Sequence, residues 1–184
     1  MTTKKNDTLI LAVGMGAVDI IDQFYSNNSG LNFLCFDEEK VVINTNDTKT
    51  IWFNDLELQK TKADVEAYKK VLLNRTSKFN EEIKKYGKII VCSFLNENYS
   101  ALTLFEMLEY FNKIKLKHSV FIVNYTDDNE KQSLDKLMKL KYSQGQDLFI
   151  YDISDIVRNN SKRKAISLIR KNTVKVLNLL LELI

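Results

Sequence analysis

Residues 9–16 read LILAVGMG, an apolar run of five residues that stops at Gly14 and is followed by a second glycine, Gly16. A short run without polar residues is typical of a strand that is buried on both faces of a parallel sheet. Apolar residues then recur with near-helical spacing over residues 18–25, so the two glycines lie where a strand passes into a helix. This stretch predicts the first strand–turn–helix unit of an α/β fold.

The alternation of strand and helix patterns continues along the chain. Further strand-like runs lie at residues 31–36, 41–43, 50–53, 88–92, 119–123 and 148–151, and helical patterns lie at residues 62–86, 100–111 (capped by Ser100), 130–142 and 162–184. Strands that alternate with helices require right-handed crossovers and a parallel sheet covered on both faces. We therefore expect a single α/β domain over residues 1–184. It would be a three-layer, Rossmann-like, mostly parallel sheet of about six strands with a long C-terminal helix.

The composition is that of an ordinary globular protein, with 45% hydrophobic and 28% charged residues. The 27 basic and 24 acidic residues give a net charge of +3, an excess too small to indicate a nucleic-acid partner. No run approaches the roughly 18 apolar residues of a membrane span, and no secretory signal precedes the first strand. We therefore expect a cytoplasmic protein that has no membrane span and binds no nucleic acid.

Cys35, Cys92 and His118 show no arrangement typical of a reactive site. Both cysteines lie within apolar strand runs, which indicates small buried side chains, and their spacing suggests neither metal ligands nor a disulfide. The single histidine lies at a strand start without acidic or cysteine neighbours, which favours a structural role. We expect no catalytic residue and no metal ligand in this chain.

Gly14 and Gly16 have the spacing of a phosphate-binding turn. Glycine lets the backbone turn tightly, and the N-terminus of the following helix offers free N–H groups and a positive dipole end. The third glycine of the dinucleotide fingerprint would fall at Asp19, whose carboxylate repels phosphate. Asp37 ends the second strand, about where a ribose-binding acid lies in a nicotinamide enzyme. The alternative is that the two glycines serve only a tight turn.

Acidic residues follow the last two strands, at the edge where open α/β sheets bind their ligands. Asp152, Ser154 and Asp155 either bind a base or a sugar, or they cap a helix. Residues 127–130, DDNE, either hold Mg²⁺ or form an acidic first helical turn, which the helix dipole favours. We prefer the helical-turn interpretation for residues 127–130.

The order of these elements resembles the N-terminal, nucleotide-binding half of the tubulin/FtsZ superfamily over nearly the whole chain. Residues 9–16 correspond to the first strand and phosphate loop, residues 32–37 to the second strand, and residues 88–94 to the strand before the signature loop. Residues 119–124 and 147–156 correspond to the last two strands, and residues 169–184 to the long central helix. The resemblance implies binding of GTP or GDP, assembly into filaments and hydrolysis of GTP.

Several family motifs are replaced in this sequence. Residues 93–100 read SFLNENYS where the family has a glycine-rich GGGTGTG loop, and Glu97 should repel a phosphate. Arg170 lies near the place of the family's guanine-binding aspartate. The chain also ends before the family's second domain and its catalytic acidic loop.

We therefore expect a degenerate tubulin/FtsZ-like protein, a pseudo-GTPase with weak or no GTP binding and hydrolysis. It would act in assembly or regulation through protein contacts. The resemblance assigns phosphate contact to Gly14 and Gly16 and nucleoside contact to Asp37 and Asp155. One alternative is a Rossmann NAD-binding enzyme or sensor that uses Gly14, Gly16 and Asp37. The other is an interaction scaffold without a ligand.

The C-terminal helix is apolar on nearly all sides, because its last residues leave only Asn178 and Glu182 on one narrow polar stripe. A helix of this kind requires cover on nearly all sides, which the second domain provides in the resembling family. We therefore expect an exposed surface that binds a second copy or another protein. Its residues would be Leu177, Leu180, Leu181 and Ile184. The alternative is that the helix completes the core of its own domain.

Overall fold

The computed structural model describes residues 7–14, 16, 17, 20, 21, 24, 32–36, 51–53, 64–95, 98–124 and 147–183. Six strands form one sheet in which every neighbouring pair is parallel, in the order β3-β2-β1-β4-β5-β6. The strands are β1 (Thr8–Val13), β2 (Asn32–Phe36), β3 (Ile51–Phe53), β4 (Lys88–Phe94), β5 (Ser119–Asn124) and β6 (Asp147–Asp152).

Helices connect the strands and lie on both faces of the sheet. They are α1 (described at Gly16, Ala17, Ile20, Ile21 and Phe24), α2 (Val65–Ile83), α3 (Asn98–Lys113), α4 (Ser154–Asn159) and α5 (Lys162–Leu183). The predicted three-layer α/β fold with a long C-terminal helix is confirmed.

Strand β1 is buried along its whole length, which explains its unbroken apolar sequence. Successive side chains of a strand point to opposite faces of the sheet. Leu9, Leu11 and Val13 accordingly join the core beneath α2 and α3. Ile10 and Ala12 join the second core, on the face covered by α1, α4 and α5.

The α2–α3 pair is joined by polar contacts as well as by the first core. The Tyr68 hydroxyl forms a hydrogen bond with Thr103 Oγ1 at 2.5 Å, and both side chains are buried. Lys69 Nζ lies 3.3 Å from a carboxylate oxygen of Glu106, and this partner raises the pKa of the lysine. The predicted apolar face of α3, from Ala101 to Phe111, is buried as expected.

The prediction of an exposed surface on the last helix is wrong for Leu177 and Leu180. These side chains are 1% and 3% exposed, because they face the sheet in the second core. Leu181 is half-buried against the same core, and Ile184 lies outside the described residues. The apolar side chains that α5 does expose near its end are Leu179, at 57%, and Leu183, at 77%.

Several local predictions also differ from the structure. Helix α3 begins at Asn98, so Ser100 lies inside the helix and does not cap it. The short helix α4 was not predicted, because six residues are too few to show a period. The predicted strand at residues 41–43 and the predicted helix at 130–142 lie outside the described residues. Within the described part of the chain, no helix is both long enough and apolar enough to cross a membrane.

Candidate functional site at the carboxyl edge of the sheet

The strand order reverses direction at the pair formed by β1 and β4. The helix after β1, α1, packs in the second core, whereas the helix after β4, α3, packs in the first. The two connections therefore leave the sheet on opposite faces and open a crevice between them. Open α/β sheets bind their ligands in such a crevice, outside the carboxyl ends of the strands.

Gly14 forms the turn at the mouth of this crevice. Its φ of 85° lies in the left-handed region, which glycine adopts without the strain of a side chain. The Gly14 carbonyl accepts a hydrogen bond from Ala17 N–H at 3.2 Å, and this bond leads the chain directly into α1. Gly16 is half-buried in the first turn of α1. The two glycines thus lie between strand and helix, as their spacing predicts.

Ser93 ties the ends of β1 and β4 together behind the turn. Its Oγ donates a hydrogen bond of 3.0 Å to the carbonyl of Val13, its partner in the parallel register, and the serine is buried. Nothing in the sequence pointed to Ser93, because it lies within the apolar run of a buried strand. It fixes the carbonyl that immediately precedes Gly14.

The first backbone N–H group after β4 already has a hydrogen-bond partner, which bears on anion binding. Leu95 N–H donates to the Val123 carbonyl at 3.2 Å, and the Leu95 side chain is buried in the first core. Leu95 is the third residue of the stretch 93–100, which the resemblance aligns with the family's glycine-rich loop. Its backbone donor is directed to β5, so it is not free to bind a phosphate. Glu97 lies outside the described residues.

Asp152 forms an Asx turn between the end of β6 and the start of α4. One of its carboxylate oxygens accepts hydrogen bonds from Ser154 N–H at 2.8 Å and from Ser154 Oγ at 2.5 Å. Ile153 N–H donates to the Asn124 carbonyl at 2.8 Å, which joins the ends of β5 and β6. Asp155 is exposed in the first turn of α4. This turn therefore accounts for the contact between Asp152 and Ser154, although α4 begins after Ile153 without a side-chain cap, and the Asp155 carboxylate faces solvent.

The structure places the predicted site residues at different points along one edge. Gly14 and Gly16 lie together at the β1 end, whereas Asp155 follows β6, which lies three strands away. At the usual spacing between strands, that separation is about 14 Å. Asp37 lies outside the described residues, although it directly follows Phe36, which pairs with Val13 at this same edge.

Cys92 and His118 have no part in this crevice. Cys92 is buried in β4, and burial raises the pKa of its thiol, which keeps it protonated and unreactive. His118 precedes β5, so it lies at the opposite, amino edge of the sheet. Its ring packs edge-on against the ring of Phe111, with the two ring centroids 5.4 Å apart, and burial lowers the pKa of the histidine. Among the described residues, no cluster of three His, Cys, Asp or Glu side chains could hold a metal ion.

Comparison with known proteins gives matches in structure only. No protein-family model matches the chain, and no curated protein matches it in sequence. TubZ of the Clostridium botulinum phage c-st is 13% identical, with a TM-score of 0.67, over 95% of this chain and 58% of its own. TubZ from Bacteriophage PhiKZ is 14% identical, with a TM-score of 0.67, over 96% of this chain and 61% of its own.

An FtsZ dimer from M. jannaschii is 14% identical, with a TM-score of 0.69, over 97% of this chain and 55% of its own. The chain thus spans less than two thirds of the length of these structures. At such low identity the likeness concerns the fold, and it agrees with the order of elements that the sequence predicts. The chain has a tubulin/FtsZ-like fold.

Proposed function

We propose that this chain is a degenerate tubulin/FtsZ-like protein that acts in assembly or regulation through protein contacts. In this proposal it binds GTP or GDP weakly or not at all, and it hydrolyses little or no GTP by itself. The observation that carries the proposal is the Gly14 turn. Its left-handed backbone lies at the switch point of a sheet whose fold matches filament proteins such as the PhiKZ TubZ protofilament.

Phosphate binding at the β1–α1 turn rests on general physical grounds. The first N–H groups of a helix have no partner within the helix, and they carry the positive end of its dipole. Because the Ala17 N–H donates to the Gly14 carbonyl, other N–H groups of this turn would have to bind the phosphate. Gly16, in the first turn of α1, brings no side chain between those groups and an approaching phosphate. Asp37 and Asp155 would then contact the sugar and the base, along the edge from β2 to β6.

Weak binding is supported by the end of β4. A phosphate that lies over the β1–α1 turn needs donors on the opposite side of the crevice. The Leu95 N–H is directed to Val123 instead, and the sequence beyond it brings Glu97 rather than glycine. The same observation favours the scaffold without a ligand as the second candidate function.

Protein contacts are supported by the exposed apolar side chains at the end of α5. Leu179 and Leu183 lie four residues apart, on neighbouring turns of one helix. Structures with this fold include a dimer and a protofilament. We propose that a second copy or another protein covers these two leucines, in place of the buried Leu177 and Leu180.

Thermal unfolding with GTP, GDP, NAD or buffer, each with and without Mg²⁺, tests the nucleotide part of the proposal. A ligand at 100 times its Kd stabilises a protein by about 2.7 kcal/mol, which raises Tm by roughly 5–10 °C in a chain of this size. We expect a small shift or none with guanine nucleotides. A shift with NAD alone would replace the proposal by the Rossmann alternative, and no shift with any ligand would favour the scaffold.

A variant pair assigns any shift to the glycine turn. Gly16→Asp places a carboxylate in the first turn of α1, where the dipole favours it but a phosphate is repelled. Lys70→Gln changes the net charge by the same amount at an exposed position of α2. The shift should disappear in Gly16→Asp and persist in Lys70→Gln. Loss of the shift in both variants would point to long-range charge instead of the turn.

A further inference from the structure

The charge of this protein is distributed unevenly, and its net positive charge comes from one helix, α5. Of the 27 Lys and Arg and 24 Asp and Glu residues, α5 holds six basic residues and one acidic residue. The rest of the chain therefore holds 21 basic and 23 acidic residues, a slight negative excess. The small net charge of the whole sequence conceals this basic helix.

Four of these basic residues line a groove of about 620 Å³ along α5. They are Arg163, Arg170, Lys171 and Lys175, and at about 100° of rotation per residue they spread over roughly 140° of the surface of α5. Arg163, Lys171 and Lys175 are exposed, and Arg170 is half-buried. At 1.5 Å per residue, the row extends about 18 Å.

The groove also has an apolar component. Ile166, which is 41% exposed, and the half-buried Val174 line it between the cations. Val174 also packs against the second core with Leu177 and Leu180, whereas Ile166 does not belong to that core. An open surface of apolar side chains flanked by cations along one helix is complementary to a chain that carries both apolar and acidic side chains.

We propose that the α5 groove binds a short acidic, amphipathic segment of a partner protein. The length of the basic row matches about five or six residues of extended chain at roughly 3.3 Å each. Exposed ion pairs contribute little affinity, so the cations set orientation and association rate. Ile166 and Val174 supply the apolar contact. This inference is independent of nucleotide binding at the carboxyl edge of the sheet.

The same surface suits other anionic partners less well. Single-stranded nucleic acid is held by aromatic side chains on which its bases stack, and none of the described residues lining the groove is aromatic. A helix that lies on a membrane inserts its apolar face, whereas the apolar face of α5 is occupied by the sheet. An open row of cations with apolar side chains between them is better matched by a polypeptide that carries acidic and apolar side chains.

The test is fluorescence anisotropy of the whole protein with a fluorescein-labelled peptide of alternating Glu and Leu. We expect saturable binding that weakens with salt. Lys171→Glu combined with Lys175→Glu should weaken it at least tenfold. The control, Lys70→Glu with Lys117→Glu, makes the same charge change at exposed positions outside the groove and should leave the Kd within about twofold. Equal losses in both variants, or no binding by the wild-type protein, would overturn the proposal.

A second pair of variants separates apolar contact from charge. Ile166→Ser should weaken binding several-fold, whereas Leu179→Ser, also on an exposed position of α5 but outside the groove lining, should not. Circular dichroism confirms that each variant is folded. Tighter binding of single-stranded DNA or of phosphatidylglycerol vesicles than of the peptide would contradict the proposal. The proposal would also be contradicted if the wild-type protein formed a dimer and the Lys171→Glu and Lys175→Glu changes dissociated it. In that case a second copy of the chain would fill the groove.

Discussion

The role of Gly14 as a turn residue follows from the sequence, because this glycine ends an apolar run shortly before a helical pattern begins. Its position at a strand–helix turn and its left-handed φ agree with that expectation. Ser93 and Leu95 differ in this respect. Their importance depends on which strands are neighbours, and a serine or leucine beside an apolar run carries no sign of its hydrogen-bond partner.

Substitution of the two glycines should have opposite effects on stability. Gly14→Ala forces a side chain into the left-handed region, and we expect a loss of about 1–2 kcal/mol. Gly16 is helical, so Gly16→Ala should stabilise the protein by up to about 1 kcal/mol. Urea unfolding of both variants measures the difference. A similar change in both would mean that the Gly14 backbone is not constrained.

His118 should make stability depend on pH. Burial lowers its pKa below the usual value, while the hydrogen bond between Nδ1 and the Leu116 carbonyl opposes this shift. The unfolded chain therefore binds the proton first as the pH falls. Stability is complete above about pH 6.5 and declines below it, by up to about 1.4 kcal/mol per pH unit.

Urea unfolding at about pH 7.5 and about pH 5.5 measures this decline, since ordinary carboxylates titrate mostly below that range. In His118→Gln the decline between the two pH values should be largely absent. If the variant loses as much stability as the wild-type protein over this interval, another group is responsible.

At the scale of the secondary-structure elements, α5 shows where sequence reasoning ends. Its extent was predicted to within a residue or two, but its apolar side chains surround the axis, so the sequence does not indicate which of them face the sheet. Packing selects Ala165, Thr173, Leu177 and Leu180, which recur at helical spacing along one side. Outside this stripe, Leu179 and Leu183 remain exposed, whereas Leu181 is half-buried.

Neighbouring leucines of α5 should therefore differ sharply in their contribution to stability. Leu177→Ala leaves a cavity in the second core and should cost about 2–5 kcal/mol. Leu179→Ala, two residues away on the exposed side, should change stability by less than about 0.5 kcal/mol. Denaturant unfolding at low protein concentration measures both. A large loss in Leu179→Ala alone would mean that the orientation of α5 is wrong.

The contact between α2 and α3 provides a second test at this scale. Tyr68→Phe leaves the buried Thr103 hydroxyl without its partner and should cost about 1–2 kcal/mol. Thr103→Val removes this partner of the tyrosine hydroxyl and should cost a similar amount. The double variant removes both groups, so it should lose less than the sum of the two. Strict additivity in this cycle would show that the two hydroxyls do not interact.

At the scale of the whole molecule, the alternation of strands and helices predicts the layers but not the order of the strands. Any right-handed arrangement of these units would satisfy the sequence pattern. The order seen here places Gly14 beside the end of β4, and that neighbour decides what the crevice offers to a ligand. The glycines alone suggest a phosphate site. The sheet adds that the Leu95 N–H, at the end of the neighbouring strand β4, already donates to the Val123 carbonyl.

The last prediction concerns GTP turnover, which depends on the crevice as a unit. Hydrolysis needs donors that stabilise the charge developing on the transferred phosphoryl group. In the proposed site the β1–α1 turn would supply them on one side, but the end of β4 directs Leu95 N–H to β5, and the sequence continues with Asn96 and Glu97. Phosphate release from GTP by the purified chain should therefore equal release in buffer with Mg²⁺. A rate above that background that Gly16→Asp abolishes and Lys70→Gln preserves would show that the crevice is catalytic despite these replacements.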